Sequence, residues 1–407
     1  MTDSVHPKTM GLYVHIPFCL AKCAYCDFFS KPSDSACNPD EDFVSALISE
    51  ISDCKKRFAV SSWSSVYIGG GTPSLLKPAY IKRLLSFIHS EGLCEHAEIT
   101  VEANPETLTE PFLRALDECG VTRLSLGIQS MNDHALAAVN RHCTASANRT
   151  ALHLVQSKWQ HDISVDCIAG LPGQDDSQFC TSLSEMLSYE PDHVSLYTLT
   201  VEEDTPLYTA VENGTVAFSQ ETADRQWLLG KDLLNAAGYR QYEVSNFSKP
   251  GHESKHNFLY WTQSDYAGAG SGACGTVYDW DTAQAVRFTA CQDRALWKQF
   301  WLSRKTDGEQ IPAAVRECEV LDAQTLEFEF LMMGLRTVRG VSESAYRKRF
   351  SCVEPWKGNL ELRLNQSAWW KKLAEEKKAS VTVSGNDRIF ALNPDGLLLL
   401  NPLLRSL

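Results

Sequence analysis

The sequence predicts an α/β chain, an incomplete (β/α)6-type TIM barrel followed by a smaller helical C-terminal domain. Three observations carry this. From residue 11 to about residue 201, short β-branched or aromatic runs alternate with longer stretches of helical spacing, the layout of repeated β-α units on a parallel sheet. Six such strands fall short of the eight that close a barrel. From about residue 316 the alternation stops, and apolar residues recur at helical spacing over 321–335.

The expected strands cover 12–16, 65–68, 98–102, 123–127, 164–168 and 193–197, each rich in Val, Ile, Leu or Tyr. Between them, 42–58, 78–90, 110–119, 145–160 and 177–188 have helical periodicity and begin near Asp, Thr or Pro, residues suited to a helix start. Polar or glycine-rich clusters stand just past the strand ends: Gly69-Gly70-Gly71-Thr72-Pro73, Glu102-Ala103-Asn104-Pro105, Gln129-Ser130 and Gly170-Leu171-Pro172-Gly173. In a β/α barrel the chemistry sits on that C-terminal rim. Another helix is expected over 219–238, then a Gly- and Trp-rich stretch to about residue 280. The leucine run 397–400 is too short for a bilayer and is expected to pack within its own domain. The chain thus divides into a lead (1–10), a partial barrel (11–240), a barrel extension (241–315) and a helical domain (316–407).

With 407 residues, 43% of them hydrophobic, the chain can bury a large core and is neither disordered nor fibrous. Its net charge of -13 would repel a polyphosphate backbone, which excludes nucleic acid as an expected partner. The first ten residues lack the layout of a secretory signal or transit peptide, and no run of about 18 apolar residues occurs, so no transmembrane segment is expected. A cytoplasmic monomer or homodimer is the expectation.

Fourteen cysteines without an export signal point to free thiols rather than a disulfide framework. Most stand singly (Cys37, Cys54, Cys94, Cys119, Cys143, Cys167, Cys180, Cys291, Cys318, Cys352) and are expected as small buried hydrophobes. Cys19, Cys23 and Cys26 differ, falling within eight residues after the first strand. Cys-x3-Cys-x2-Cys supplies three thiolates to one cubane, where an electron-transfer ferredoxin cluster takes four, so one iron stays open. An open iron beside a pocket can take a chelating ligand, of which the amino and carboxylate groups of S-adenosylmethionine (SAM) are the best known. A zinc knuckle is the alternative, though no further Cys or His follows closely after Cys26.

The ordered set YVHIPFCLAKCAYCDF, YIGGGTPS, ITVEANPE, RLSLGIQS, VDCIAGLPGQ, QYEVSNF, HNFLYW and DYAGAGSGA, with EFEFLMMGLR in the C-terminal region, resembles the coproporphyrinogen-oxidase-like family of radical SAM proteins over nearly the whole chain. The resemblance implies a radical SAM core with a 4Fe-4S cluster on Cys19, Cys23 and Cys26, and Tyr25 against the adenine of SAM. Gly70, Gly71 and Thr72 match the loop that meets the methionine moiety, where a side chain would block the approach. Tyr13, Glu102, Gln129, Arg141 and Asp166 match the remaining SAM contacts; an Arg can pair with a carboxylate, and Asp or Glu can accept from a ribose diol.

His256-Asn257-Phe258-Leu259-Tyr260-Trp261 resembles the HNxxYW motif of the family's haem-chaperone branch, which implies His256 as an axial ligand and Tyr260 and Trp261 against the porphyrin. Ser254 and Cys274 depart from that branch, where Cys and His are frequent, and Cys274 is itself a candidate second ligand. Gly270-Ser271-Gly272-Ala273-Cys274-Gly275 fits G-x-G-x-x-G but is rejected as a dinucleotide site, because 261–267 is too polar for the preceding strand and no helix start follows. Two functions follow from the resemblance: a chaperone that holds haem and passes it to apo-haemoproteins, with transient contact to membrane clients, or the oxygen-independent coproporphyrinogen III oxidase. The oxidases carry a further cysteine just past the cluster and a longer segment before the first strand; this chain has Cys26-Asp27-Phe28 and about ten leading residues, which favours the chaperone.

Overall fold

The computed structural model describes residues 8–32, 39–304 and 310–407. Cys37 and most of the expected lead lie outside them. All six expected strands are present and run longer than expected: β1 (Lys8–Ile16), β2 (Val60–Gly70), β3 (Leu93–Ala103), β4 (Arg123–Gln129), β5 (Asp162–Ala169) and β6 (His193–Thr198). The chain then adds β7 (Arg240–Gln241), β8 (Asn246–Ser248), β9 (Tyr266–Ala269), β10 (Cys274–Asp279), β11 (Gln284–Ala290) and β12 (Arg316–Leu321). Together they form one open twelve-stranded sheet, ordered β12-β11-β10-β9-β1-β2-β3-β4-β5-β6-β8-β7. From β9 to β6 all neighbours are parallel, and both flanks are antiparallel.

β9 corrects one expectation. A strand does precede the Gly-rich segment, formed by Tyr266-Ala267-Gly268-Ala269 beside β1. The burial of small residues against β1, rather than apolar bulk, makes it a strand. The segment still leads into strand β10 and not a helix, so the dinucleotide fingerprint fails on that side.

The two faces of the parallel sheet carry opposite chemistry. Leu12, Val14, Ile16, Val66, Ile68, Val101, Leu124, Leu126, Val165, Val194 and Leu196 pack outward in the main core. The alternate residues face inward and are mostly polar: Tyr13 on β1, Ser65 and Tyr67 on β2, Glu98, Thr100 and Glu102 on β3, Arg123 and Ser125 on β4, Ser164 and Asp166 on β5, His193, Ser195 and Tyr197 on β6. The connecting helices begin at residues whose side chains satisfy free amides: Asp40 accepts from Phe43 N at 2.7 Å, Thr144 from Ala147 N at 3.1 Å, and Asp175 forms a capping box with Gln178. No described helix is long and apolar enough to cross a membrane.

A second core takes in Leu321, Leu326, Leu331, Leu335, Tyr346, Phe350, Leu364, Trp370 and Leu403. Beside its helices stands a small antiparallel sheet, β13 (Val341–Ser342), β14 (Ala379–Ser384) and β15 (Asp387–Leu392), which helical periodicity did not indicate. Leu397 and Leu400 of the leucine run are buried in this core. Of the single cysteines expected to be buried, Cys54, Cys143 and Cys167 are so, Cys94, Cys119, Cys180 and Cys291 are half-buried, and Cys318 and Cys352 are exposed, since the edge strand β12 is bare from 317 to 320 and Cys352 lies in a turn.

A buried ion cluster ties the late strands to the first helix. Glu50, on the helix Glu41–Arg57, is fully buried; it accepts from Arg316 Nη2 at 2.8 Å, Trp297 Nε1 at 2.8 Å and Gly270 N at 2.7 Å. Asp53, one turn on, takes Arg57 Nε at 3.0 Å and Arg304 Nη2 at 2.6 Å. Removing the carboxylate leaves the buried Arg316 charge with Asp53 alone, at 3.6 Å and already shared with Arg57 and Arg304, so Glu50→Ala is expected to cost about 3–5 kcal/mol in urea denaturation. Glu50→Gln, which keeps an acceptor of the same size, should cost less, and a loss below about 1 kcal/mol for the alanine variant would show the cluster to be energetically idle.

Candidate functional site

The site lies at the C-terminal ends of the parallel strands, where the inward-facing side chains open into a cavity. β1 runs into the cysteine loop, which is pinned at several points: Phe18–Cys19 pairs with Lys31–Pro32, Ala24 N donates to Val139 O at 2.9 Å, and Cys26 N to Cys23 O at 3.2 Å. Cys23 is buried and Cys19 and Cys26 half-buried, all three as free thiols. Burial pushes the Cys26 thiol up. Arg141 reaches Cys23 Sγ at 3.6 Å while its Nη2 donates to Gly127 O at 2.7 Å and Asn104 Oδ1 at 2.8 Å. The three sulfurs do not all come within 4.8 Å of one another. A single zinc with Zn–S bonds of about 2.3 Å would need them closer, so the donor set suits a larger cluster better than a zinc knuckle.

The glycine turn after β2 is held against this loop. Gly71 N donates to Ile16 O at 2.9 Å, and a Cβ on Gly71 would lie 2.5 Å from Phe18 O. Gly70 has φ +113°, and a Cβ there would strike the His15 ring at 2.5 Å. The space a side chain would fill at these two residues is thus occupied by the protein's own chain, whereas the sequence reading had reserved it for a ligand. Thr72 is buried and accepts from Asn104 Nδ2 at 2.9 Å.

Glu102 organises the cavity wall: its carboxylate accepts from Tyr67 Oη at 2.7 Å and from Gly70 N at 3.0 Å. Burial lifts its pKa to about 7, with the Asp166 charge adding to the rise, and burial lifts Asp166 to about 6. Tyr13 Oη meets His15 Nδ1 at 2.8 Å, and His15 Nε2 meets Phe29 O at 2.9 Å, which anchors the return of the cysteine loop. Gln129 sits at φ +66° with Oε1 buried and without a partner, and Arg141 Nε is likewise unpartnered. A non-glycine residue in that backbone region stands here beside polar atoms whose hydrogen-bonding capacity is unused. Tyr25 packs beside Ile168 and Leu171, and burial raises its phenol. Sequence reasoning passed over His15, Tyr67, Asn104 and Tyr197 as site residues. The signal was period-two spacing along each strand, His15 from Tyr13, Tyr67 from Gly69, Asn104 from Glu102 and Tyr197 from Ser195.

HNFLYW forms the short helix Lys255–Trp261 under the barrel. His256 is fully buried; its Nδ1 pairs with Ser65 Oγ at 2.8 Å and its Nε2 with Tyr260 Oη at 2.8 Å. Burial drives its pKa down to about 3. As an axial ligand His256 meets an obstacle, since neither ring nitrogen is open to an iron in this conformation. Tyr260 stacks edge-on against Tyr266 at 4.8 Å, within electrostatic reach of Tyr13, Glu102 and the half-buried Cys274. Trp261 lies under Arg336 at 5.4 Å, its Nε1 buried without a partner. Ser254 caps the helix by accepting from Asn257 N at 3.3 Å. Among the described residues, one group of metal-ligating side chains has its ligand atoms within 4.8 Å of one another, Asp162, Asp192 and His252. Arg123 lies 3.9 Å from Asp162 and Lys249 3.7 Å from Asp192, so both carboxylates already face a cation.

A family model described as the radical SAM superfamily matches residues 13–186. The chain is 32% identical over 341 residues to the heme chaperone HemW of Bacillus subtilis (strain 168), covering 83% of this chain and 86% of that protein. It is 35% identical over 341 residues to the mitochondrial radical S-adenosyl methionine domain-containing protein 1 of Mus musculus, covering 83% and 75%. Coproporphyrinogen III oxidase (HemN) from Escherichia coli, a radical SAM enzyme, has the same fold at a TM-score of 0.76, with 20% identity over 98% of this chain and 90% of the other.

Because burial raises Glu102 and Asp166 to about 7 and about 6, the folded state binds more protons than the unfolded chain, whose carboxyls titrate near 4. The stability this supplies is complete below about pH 4 and is lost as pH rises through about 6 to 7. Thermal melting of the cluster-free protein should therefore show a decline across that window that Glu102→Gln flattens. An unchanged slope in the variant would remove Glu102 from the cavity's titration.

Proposed function

This chain belongs to the coproporphyrinogen-oxidase-like radical SAM family that includes the HemW proteins, and from that premise we propose that it is a haem chaperone, carrying a 4Fe-4S cluster and SAM and passing haem to apo-haemoproteins. The observation that carries the reading is the cysteine loop packed on the glycine turn and Glu102, within a chain alike to HemW over most of both lengths. Cys19, Cys23 and Cys26 would hold the cluster, whose open iron supplies a chelation point and one-electron chemistry. Tyr13, Tyr25, Gly70, Gly71, Thr72, Glu102, Gln129, Arg141 and Asp166 would hold SAM. Ionised Glu102 can accept from a ribose hydroxyl, and Gln129 Oε1 and Arg141 Nε have hydrogen-bonding capacity to spare. Haem would be taken at the HNFLYW segment, with His256 as axial ligand, Tyr260 and Trp261 against the ring and Cys274 as second ligand. The protein would work in the cytoplasm as a monomer or homodimer, meeting membrane-bound clients transiently.

The cavity's electrostatics favour this over the oxidase reading. Coproporphyrinogen carries several propionate carboxylates, yet the inward face presents Tyr67, Glu102, Asp166 and Tyr197. Arg141, which reaches Cys23 Sγ at 3.6 Å, is engaged by Gly127 and Asn104. Where Glu102 and Asp166 are ionised, carboxylates entering such a site would meet like charge.

Anaerobic reconstitution should give about four iron and four sulfide per chain. Cys19→Ala, Cys23→Ala and Cys26→Ala should each abolish the cluster, and SAM should bind the cluster-loaded form alone. Haem should bind the reconstituted protein, and coproporphyrinogen III should not turn over with SAM and reductant present. Repeated turnover of that substrate would overturn the chaperone reading.

A further inference from the structure

Three bonds converge on one inward carboxylate at the base of the barrel. Glu98, on β3, is 7% exposed; its Oε1 accepts from His256 N at 3.0 Å and Ser254 Oγ at 3.2 Å, and its Oε2 from Lys255 N at 3.0 Å. The first residues of the HNFLYW helix are thereby bound to the sheet by an ionisable group, in the strong class of hydrogen bond. The strand beside it supplies Ser65, which takes one His256 nitrogen, and the helix's own Tyr260 takes the other. Behind Glu98 lies a solvent-open hollow of about 390 Å³, lined by Glu98, Lys255, Arg123, His161 and Glu253 among others. If the three bonds break, the carboxylate has water to receive it. Within the helix, Trp261 Nε1 is buried without an acceptor, so the closed arrangement leaves a polar group unsatisfied that another arrangement could serve.

We propose that Glu98 is a latch: while its carboxylate holds residues 254–256, His256 stays sealed beneath the barrel, and loading of haem through His256 requires that hold to open. This rests on the haem reading given above and adds a positioning residue to it. Glu98 touches neither haem nor its iron. It sets the fraction of molecules in which the imidazole can be presented, and apparent affinity and loading rate scale with that fraction. The family motif and the buried geometry are then compatible, the motif histidine being stored rather than displayed.

The test uses the full chain, reconstituted with its cluster, in wild type, Glu98→Ala, Glu98→Gln, His256→Ala and the Glu98→Ala/His256→Ala double variant. Hydrogen exchange of the Lys255 and His256 amides is followed together with the rate and spectrum of hemin binding. Exchange in Glu98→Ala should quicken by about tenfold or more, as expected when a charged acceptor is lost. Hemin should load faster by a similar factor, with a low-spin spectrum that the double variant lacks. Glu98→Gln, which keeps one acceptor oxygen, should fall between, and it carries the test if the alanine variant does not fold. Unchanged amide exchange in both Glu98 variants would overturn the latch. So would a loading rate indifferent to Glu98 while His256→Ala still alters the spectrum, and that result would leave the haem reading standing. Failure of every variant to bind hemin, with exchange accelerated, would instead sink the haem reading and the loading role of Glu98 with it.

Discussion

The structure depends on one constraint, a parallel sheet whose outer face is apolar and whose inner face is polar. A parallel sheet covered on both sides by apolar layers reads as continuous hydrophobic runs. Here period-two alternation puts Val66, Val101 and Leu124 under the helices, while Tyr67, Glu102 and Ser125 face inward. The inner polar groups near the strands' N-terminal ends satisfy one another, as Ser164 and Tyr242 do through His193 at 2.8 Å on each side. Those near the C-terminal ends are left facing a cavity, and Tyr197 there is 43% exposed. The same alternation that builds the core therefore creates a place where polar chemistry is unfinished.

Close backbone approach then decides what can be built at that place. The glycine turn, the cysteine loop and the Gly-rich segment after β9 meet within van der Waals distance: a Cβ on Gly270 would lie 2.4 Å from His15 O, and one on Gly272 would lie 2.4 Å from the Phe29 ring. Glu50 holds the Gly270 amide from the far side through a buried carboxylate, so the ion cluster in the core and the backing of the cysteine loop are mechanically continuous. Glu102 does the equivalent on the other side by holding the Gly70 amide. Two buried carboxylates, both acting on glycine amides, clamp the loop between them.

The fold shared with coproporphyrinogen III oxidase at 20% identity does not settle activity, because one scaffold hosts several chemistries. The inner face presents two acids, Glu102 and Asp166, that burial raises. The HNFLYW segment occupies the base of the same barrel, joined to the cavity through Tyr260.

The sequence by itself determined whatever rests on local chemistry and period. Alternation located the six parallel strands, Asp and Thr caps located helix starts, and the spacing of Cys19, Cys23 and Cys26 marked one short loop bearing three thiols, because these signals are carried by residues a few positions apart. Tertiary structure alone decided what depends on partners distant in the chain. β9 exists because small residues fit beside β1, 255 positions away in the Gly11–Tyr266 pair. Cys318 is exposed because its strand ends a sheet, and Gly70 and Gly71 are required because His15 and Phe18 fill the space above them. The motif assigned His256 a ligand's chemistry, but whether its nitrogens are free is set by Ser65, 191 residues earlier, and by the Glu98 carboxylate. A side chain's type is written in the sequence; its availability is a property of what the fold packs against it.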